Sequence, residues 1–170
     1  MAVVIRITID TMCINARGHI PALNALEVLA KQRVIEITST RILAEELARD
    51  KTQFGPNRRA KASQLQSGTS GFVMRRSTLR GGDALGAPNA YVYLDRIARI
   101  IQPDLEWHEL DEHTQRDIMH LAIHRAHNWD LFVTKEKEIL RKSRVLLSDL
   151  GLRVMSPKGA LKTVNEMKSG

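Results

Sequence analysis

Four acids stand where a carboxylate calls for an explanation. The stretch VVIRITI (3–9) is a near-continuous apolar and β-branched run that ends on Asp10 and Thr11. Such runs read as strands covered on both faces, and a charge at the end of one needs neutralising. Open parallel sheets bind ligands outside the carboxyl ends of their strands. Asp10 is therefore either a site residue or a turn former. In ILAEELAR, a turn of about 100° per residue places Glu46 within the apolar arc of Ile42, Leu43 and Leu47, while Glu45 points away. The competing role for Glu46 is a surface glutamate leaning out at the edge of the core. Asp117 opens the apolar segment IMHLAIHRA in the first turn of its helix, where Thr114 to Asp117 also resembles a capping box. Glu136 lies just past the strand LFVT. Four carboxylates at one rim would repel and stay partly protonated without compensation. A divalent cation supplies it, and an all-oxygen set without histidine or cysteine favours Mg²⁺ or Mn²⁺ over Zn²⁺.

That rim exists only if strands and helices alternate, and the pattern says that they do. Pro21 to about Arg33 is helical, with Leu23, Leu26, Leu29 and Ala30 at helical spacing and proline in the first turn. Val34–Thr38 reads as a strand, and Ser39 or Thr40 caps a helix over Arg41–Arg49. Further on come helix Asn89–Gln102, with Tyr91, Leu94, Ile97 and Ile101 on one side, and strand Leu105–Leu110. Helix Thr114–His127, strand Leu131–Thr134, helix Lys135–Leu150 and strand Leu152–Met155 follow, before a polar tail. Alternation of this kind means βαβ units and a mostly parallel sheet with helices on both faces. The fold class is α/β, a three-layer α/β/α sandwich.

The length of 170 residues suits a single domain spanning 1–170, and 43% hydrophobic content is that of a globular chain. Cys13 is the sole cysteine, which excludes an internal disulfide and favours a reducing compartment. No apolar run reaches the length of a membrane span, and the N-terminus lacks the pattern of a secretory signal. A cytoplasmic protein without a membrane partner is expected. The net charge of +7 points to a polyanionic partner such as nucleic acid. Residues 51–87 hold seven basic residues against one acid, close to the whole net charge, together with six of the ten glycines. They read as a long basic insertion or loop, with a short strand or hairpin around Gly71–Arg76. Arg58, Arg59, Lys61, Arg75, Arg76 and Arg80 are candidates for phosphate contact, and a merely solvated loop is the competing reading.

The chain resembles PIN-domain nucleases, many of them VapC-type toxins. Members typically begin with an apolar strand ending in Asp-Thr, as ITIDT does here. They carry a glutamate followed by a hydrophobic residue in the second helix, as Glu46-Leu47 does. A later helix opens on an Asp such as Asp117, and a strand ends in a D-x-x-V-T-x-D pattern like DLFVTKE. The closing LRVMSPKGAL also fits. The resemblance covers about 1–50 and 104–160, and the basic insertion lies outside it. It implies a sheet order of 3-2-1-4-5 and a site in which Asp10, Glu46, Asp117 and Glu136 hold Mg²⁺ or Mn²⁺. It implies further a metal-dependent endoribonuclease leaving 5′-phosphate and 3′-hydroxyl ends, a protein antitoxin as partner, and a homodimer. The chain departs from the pattern twice, with Glu136 in place of Asp and with Met12 where Asn or Ser is common.

Other motifs point elsewhere or nowhere. His120, His124 and His127 share a stripe at i, i+4 and i+7, a metal-capable spacing, but HExxH is absent. The stripe lies largely opposite Ile118, Ala122 and Ala126, so a solvated face is expected. Cys13 reads as a small buried residue, and Trp107 and Trp129 as core or rim. No phosphate-cradling glycine loop follows the first strand, which disfavours a nucleotide-cofactor enzyme. A non-catalytic RNA-binding module on the same scaffold and a DNA nuclease remain as alternatives.

Overall fold

The computed structural model describes residues 4–16, 19–49, 51–63, 66–67 and 90–169. In chain order the elements are β1 (Ile5–Ile9), α1 (Thr11–Ala16), α2 (Pro21–Lys31), β2 (Ile35–Ser39), α3 (Arg41–Arg49), α4 (Gly55–Ser63) and β3 (Gln66–Ser67). They continue with α5 (Ala90–Ile101), a 3₁₀ turn (Trp107–Glu109), α6 (Glu112–Ala126), β4 (Leu131–Val133), α7 (Lys137–Arg141), α8 (Ser143–Leu150), β5 (Val154–Met155) and α9 (Pro157–Ser169). The strands form one sheet in the order β3-β2-β1-β4-β5, and every pairing is parallel. This is the 3-2-1-4-5 order that the resemblance implied.

Side-chain alternation along the central strands divides the interior in two. Ile7, Ile9, Ile35, Ile37, Leu131 and Val133 pack with Leu23 and Leu26 of α2 and Ala160 and Val164 of α9. On the other face, Phe132 and Val154 join Leu94, Ile97 and Ile101 of α5, Ile118, Leu121 and Ala122 of α6, and Leu146 and Leu150 of α8. Successive strand residues point to opposite faces, so Ile5, Ile7 and Ile9 of β1 all face the layer of α2 and α9, while buried Thr8 faces α6 on the other side. Gly151, at φ 63°, ends α8 in the left-handed conformation, and Leu152 N–H reaches back to Leu146 O at 3.1 Å. Only glycine adopts that conformation without a Cβ penalty.

Several elements differ from the sequence reading. Leu105–Leu110 contains a 3₁₀ turn and no strand; Glu106 caps it through Glu109. The third strand of the sheet is instead Gln66–Ser67, inside the basic insertion, which also contains α4. The insertion therefore begins with regular structure, although glycine and proline flank it. The proposed hairpin around Gly71–Arg76 lies outside the described residues. The helix expected over Lys135–Leu150 breaks between Arg141 and Ser143 into α7 and α8. Met155 is followed by a helix, α9, where a polar tail was expected; its apolar positions are only a sparse stripe, Ala160 and Val164, buried against α2 and the sheet. Tyr91 is exposed, so the buried face of α5 is Leu94, Ile97, Ala98 and Ile101. No described helix is long and apolar enough to cross a membrane.

Cys13 is fully buried, as expected. Burial, aided by the charge of Asp10 and partly opposed by Lys135, pushes its thiol up to about 12. The thiolate is the reactive form. Alkylation of Cys13 at pH 8 is therefore expected to be slow in the native protein and to rise with denaturant in step with unfolding. Rapid labelling without denaturant, followed by mass spectrometry, would contradict this burial.

Candidate cation site at the sheet rim

The rim is built by register. Ile9 of β1 pairs with Val133 of β4, and Asp10 N–H donates to Val133 O at 3.0 Å, so both strands end side by side. Asp10 is 5% exposed and has partners on both oxygens. Thr134 Oγ1–H donates to Oδ2 at 2.5 Å, and Met12 N–H donates to Oδ1 at 2.9 Å. Thr134 Oγ1 in turn accepts Glu136 N–H at 2.9 Å, which ties the backbone of the fourth acid to the first. Asp10 O also accepts Cys13 N–H and Ile14 N–H, so this residue both starts α1 and faces the site. The two roles set against each other in sequence are compatible. Met12 contributes its backbone N–H, and Thr134 supplies a side-chain hydroxyl.

Glu46 comes from α3, which Thr40 caps by accepting Leu43 N–H at 3.4 Å. Thr11 Oγ1–H donates to Glu46 Oε2, and His120 Nε2 lies 3.4 Å from the same oxygen. Arg116 Nη1 stands 3.9 Å from Oε1. Burial raises the Glu46 carboxyl, but the hydrogen bond and charge of His120, the Thr11 hydrogen bond and Arg116 outweigh it, so the pKa falls. A carboxylate only accepts, so His120 Nε2 carries the hydrogen. The other ring nitrogen, Nδ1, pairs with Thr40 Oγ1, 2.5 Å away. A chain of hydrogen bonds thus runs from the α3 backbone through Thr40 and His120 to Glu46. The side chain of Glu45 lies outside the described residues.

Helix α6 delivers the rest. Positions 113, 117, 120 and 124 share one face of a helix. Asp117, 12% exposed, has its Oδ2 3.5 Å from His113 Nε2, and the same nitrogen is 3.9 Å from Glu136 Oε2. Burial first, then the charges of Asp10, Glu46, Glu136 and Asp111, push the Asp117 carboxyl up to about 8. The other three candidate acids therefore all bear on Asp117. A shallow cleft lined by Ile101, His113, Asp117, Glu136 and Ile139 opens beside them.

Two expectations about this helix are corrected. Its N-cap is Asp111, whose Oδ1 accepts Thr114 N–H at 2.9 Å, so Asp117 sits in the second turn and the Thr114 capping box does not form. The histidine stripe is not a solvated face, since His120 is 2% and His124 1% exposed. Helix α6 packs on α5 and on the sheet side, where its buried histidines meet threonines: Thr8 on β1 and Thr40 just beyond β2. His124 Nδ1 lies 2.7 Å from Thr8 Oγ1, which also bonds Thr38 Oγ1 at 3.3 Å. Burial, with the charges of Arg125 and His127, drives the His124 imidazole down to about 3. His113, Arg116 and the role of Thr134 escaped the sequence reading, and His120 was read there as solvated. The signal for His113 was its i, i+4 spacing to Asp117, visible once the helix starts at Glu112.

Of the basic candidates, Arg58 and Arg59 lie on α4. The Arg58 guanidinium sits 5.6 Å from the centroid of the Phe54 ring, and Arg59 Nη1–H donates to Leu47 O at 3.1 Å, anchoring α4 to the end of α3. The Lys61 side chain and Arg75, Arg76 and Arg80 lie outside the described residues.

No family model and no curated protein sequence matches this chain. Among solved structures it is similar in fold to a chain of VapBC2 from Rickettsia felis, crystallised bound to a DNA fragment from their promoter. The TM-score is 0.54 at 15% sequence identity, over 89% of this chain and 98% of that one.

Proposed function

We propose that this protein is a divalent-cation-dependent endoribonuclease of PIN type, acting as the toxin of a toxin–antitoxin pair. The observation that carries the reading is the convergence of Asp10, Glu46, Asp117 and Glu136 at the carboxyl rim of a parallel sheet. The donor set fits Mg²⁺ or Mn²⁺, because it offers hard oxygens and because four neighbouring carboxylates, three of them in the set, bear on Asp117, a repulsion that a cation would relieve. When bound, such an ion supplies Lewis acidity toward a phosphodiester and the water that attacks it. The chain's own residues do the positioning. Thr134 orients Asp10, Thr11 and His120 hold Glu46 Oε2, and Arg116 brings a positive charge to the face where a phosphate would approach. The fold likeness to a chain of VapBC2 and the order of the sequence motifs support the toxin reading, and with it a protein antitoxin; a homodimer and a cytoplasmic setting belong to the same proposal and rest on the sequence alone.

The test is incubation of end-labelled RNA and DNA with the protein in Mg²⁺, Mn²⁺ or EDTA. RNA cleavage with either metal, none in EDTA, and products bearing 5′-phosphates are expected. Binding of RNA with no cleavage in any metal would favour the non-catalytic module, and preferential cutting of DNA would overturn the substrate assignment.

The basic segment supplies phosphate contacts in this account. Neutralising Arg58, Arg75 and Arg76, and sparing Arg59 for its contact with α3, should weaken RNA binding across sequences. The slope of log affinity against log salt should flatten by about 0.7 for each lost contact to a single strand. An unchanged slope would reassign the segment to an acidic protein partner.

A further inference from the structure

We infer that His113 adds an imidazole ligand to the cation site on its Asp117–Glu136 side, so that the site selects Mn²⁺ or Zn²⁺ over Mg²⁺. This rests on the reading of the four carboxylates as a cation site and deepens it. His113 Nε2 and one oxygen each of Asp117 and Glu136 all lie within 4.8 Å of one another. Donors bound to a single ion at about 2.0–2.2 Å stand roughly 3–4 Å apart, and the two measured separations from Nε2, 3.5 and 3.9 Å, already fall in that range.

The three groups come from two separately fixed segments. His113 and Asp117 are one turn apart on α6, and the Glu136 backbone is fixed by Thr134. The His113 side chain is 58% exposed, so it stands at the mouth of the cleft and leaves coordination positions open to solvent and substrate. Open positions mark catalytic rather than structural metal sites. An imidazole among carboxylates shifts preference from Mg²⁺, which demands oxygen and keeps its waters, toward first-row transition metals.

The experiment is pulsed electron paramagnetic resonance of Mn²⁺ bound to the full chain, with Zn²⁺ and Mg²⁺ affinities measured by competition against Mn²⁺. Wild type should show nitrogen modulation from a coordinated imidazole. His113→Gln, a change at an exposed position, should bind Mn²⁺ without that modulation. Its Mn²⁺ and Zn²⁺ affinities should fall at least about tenfold, the lower bound for losing even an outer partner of a metal, while Mg²⁺ affinity stays nearly unchanged. Nitrogen modulation that persists in His113→Gln, or Mn²⁺ bound to wild type without any, would overturn the inference and leave the carboxylate site standing. Wild type that binds none of the three ions would overturn both the inference and the reading beneath it.

Discussion

Asp10→Asn is expected to abolish metal-dependent cleavage while the protein stays folded. The substitution keeps the shape of the side chain, and its oxygen can still accept Met12 N–H, so α1 retains its start. What disappears is a charge that is 5% exposed at the centre of the rim, between the ends of β1 and β4. Removing outer partners of a metal typically lowers activity about 10–100-fold, and a direct ligand should exceed that. Thr134→Val is the graded companion, because it deletes the hydroxyl that orients Asp10 and accepts Glu136 N–H. Its loss should fall within that 10–100-fold interval. Circular dichroism and cleavage rates measured on the same preparations decide the matter, and undiminished cleavage by folded Asp10→Asn would remove Asp10 from the site.

The second large effect is on stability and runs against intuition for a site mutation. Asp117 has a folded pKa of about 8, above the ordinary value of 3.8. Between those two values the folded protein holds a proton that the unfolded chain has released. The stability tied to that proton is therefore fully present below about pH 4 and is lost as pH rises through about 8. Glu46, with its lowered pKa, contributes in the opposite sense, and its share is lost as pH falls. In EDTA the melting temperature should therefore fall from mildly acidic pH toward pH 8. Asp117→Asn should flatten that fall and exceed wild type at pH 8 by roughly a few kcal/mol, large against roughly 5–15 kcal/mol for a typical domain. Thermal melts across pH 5 to 8 check it, and parallel curves for the two proteins would show that Asp117 ionises freely.

Three of the four candidate acids stood out because each breaks or ends an apolar pattern. Asp10 closes an apolar run, Glu46 interrupts an apolar arc, and Glu136 follows a buried strand. Asp117 was found for a partly wrong reason, since its helix starts two residues earlier and caps on Asp111. Periodicity reports which face is buried and does not report what the buried polar groups meet. His120 and His124 therefore read as solvated, when the sheet offers them Thr40 and Thr8. The strand order followed from resemblance, but β3 is two residues long and carries no apolar signal, so Leu105–Leu110 took its place in the reading. A strand that short is fixed by pairing with Thr38 and Ser39 rather than by its own sequence.

Whether these carboxylates form one cation site is decided by calorimetric titration of Mn²⁺ into the metal-free protein at pH 7. Performed in buffers of different ionisation enthalpy, it counts protons released as the ion binds. Saturable binding is expected, with release of about one proton per ion, taken from Asp117, because a ligating carboxylate must be deprotonated. Asp10→Asn and Asp117→Asn should each lose that binding. Absence of Mn²⁺ binding, or binding that both variants retain with the same proton count, would contradict a single cation site.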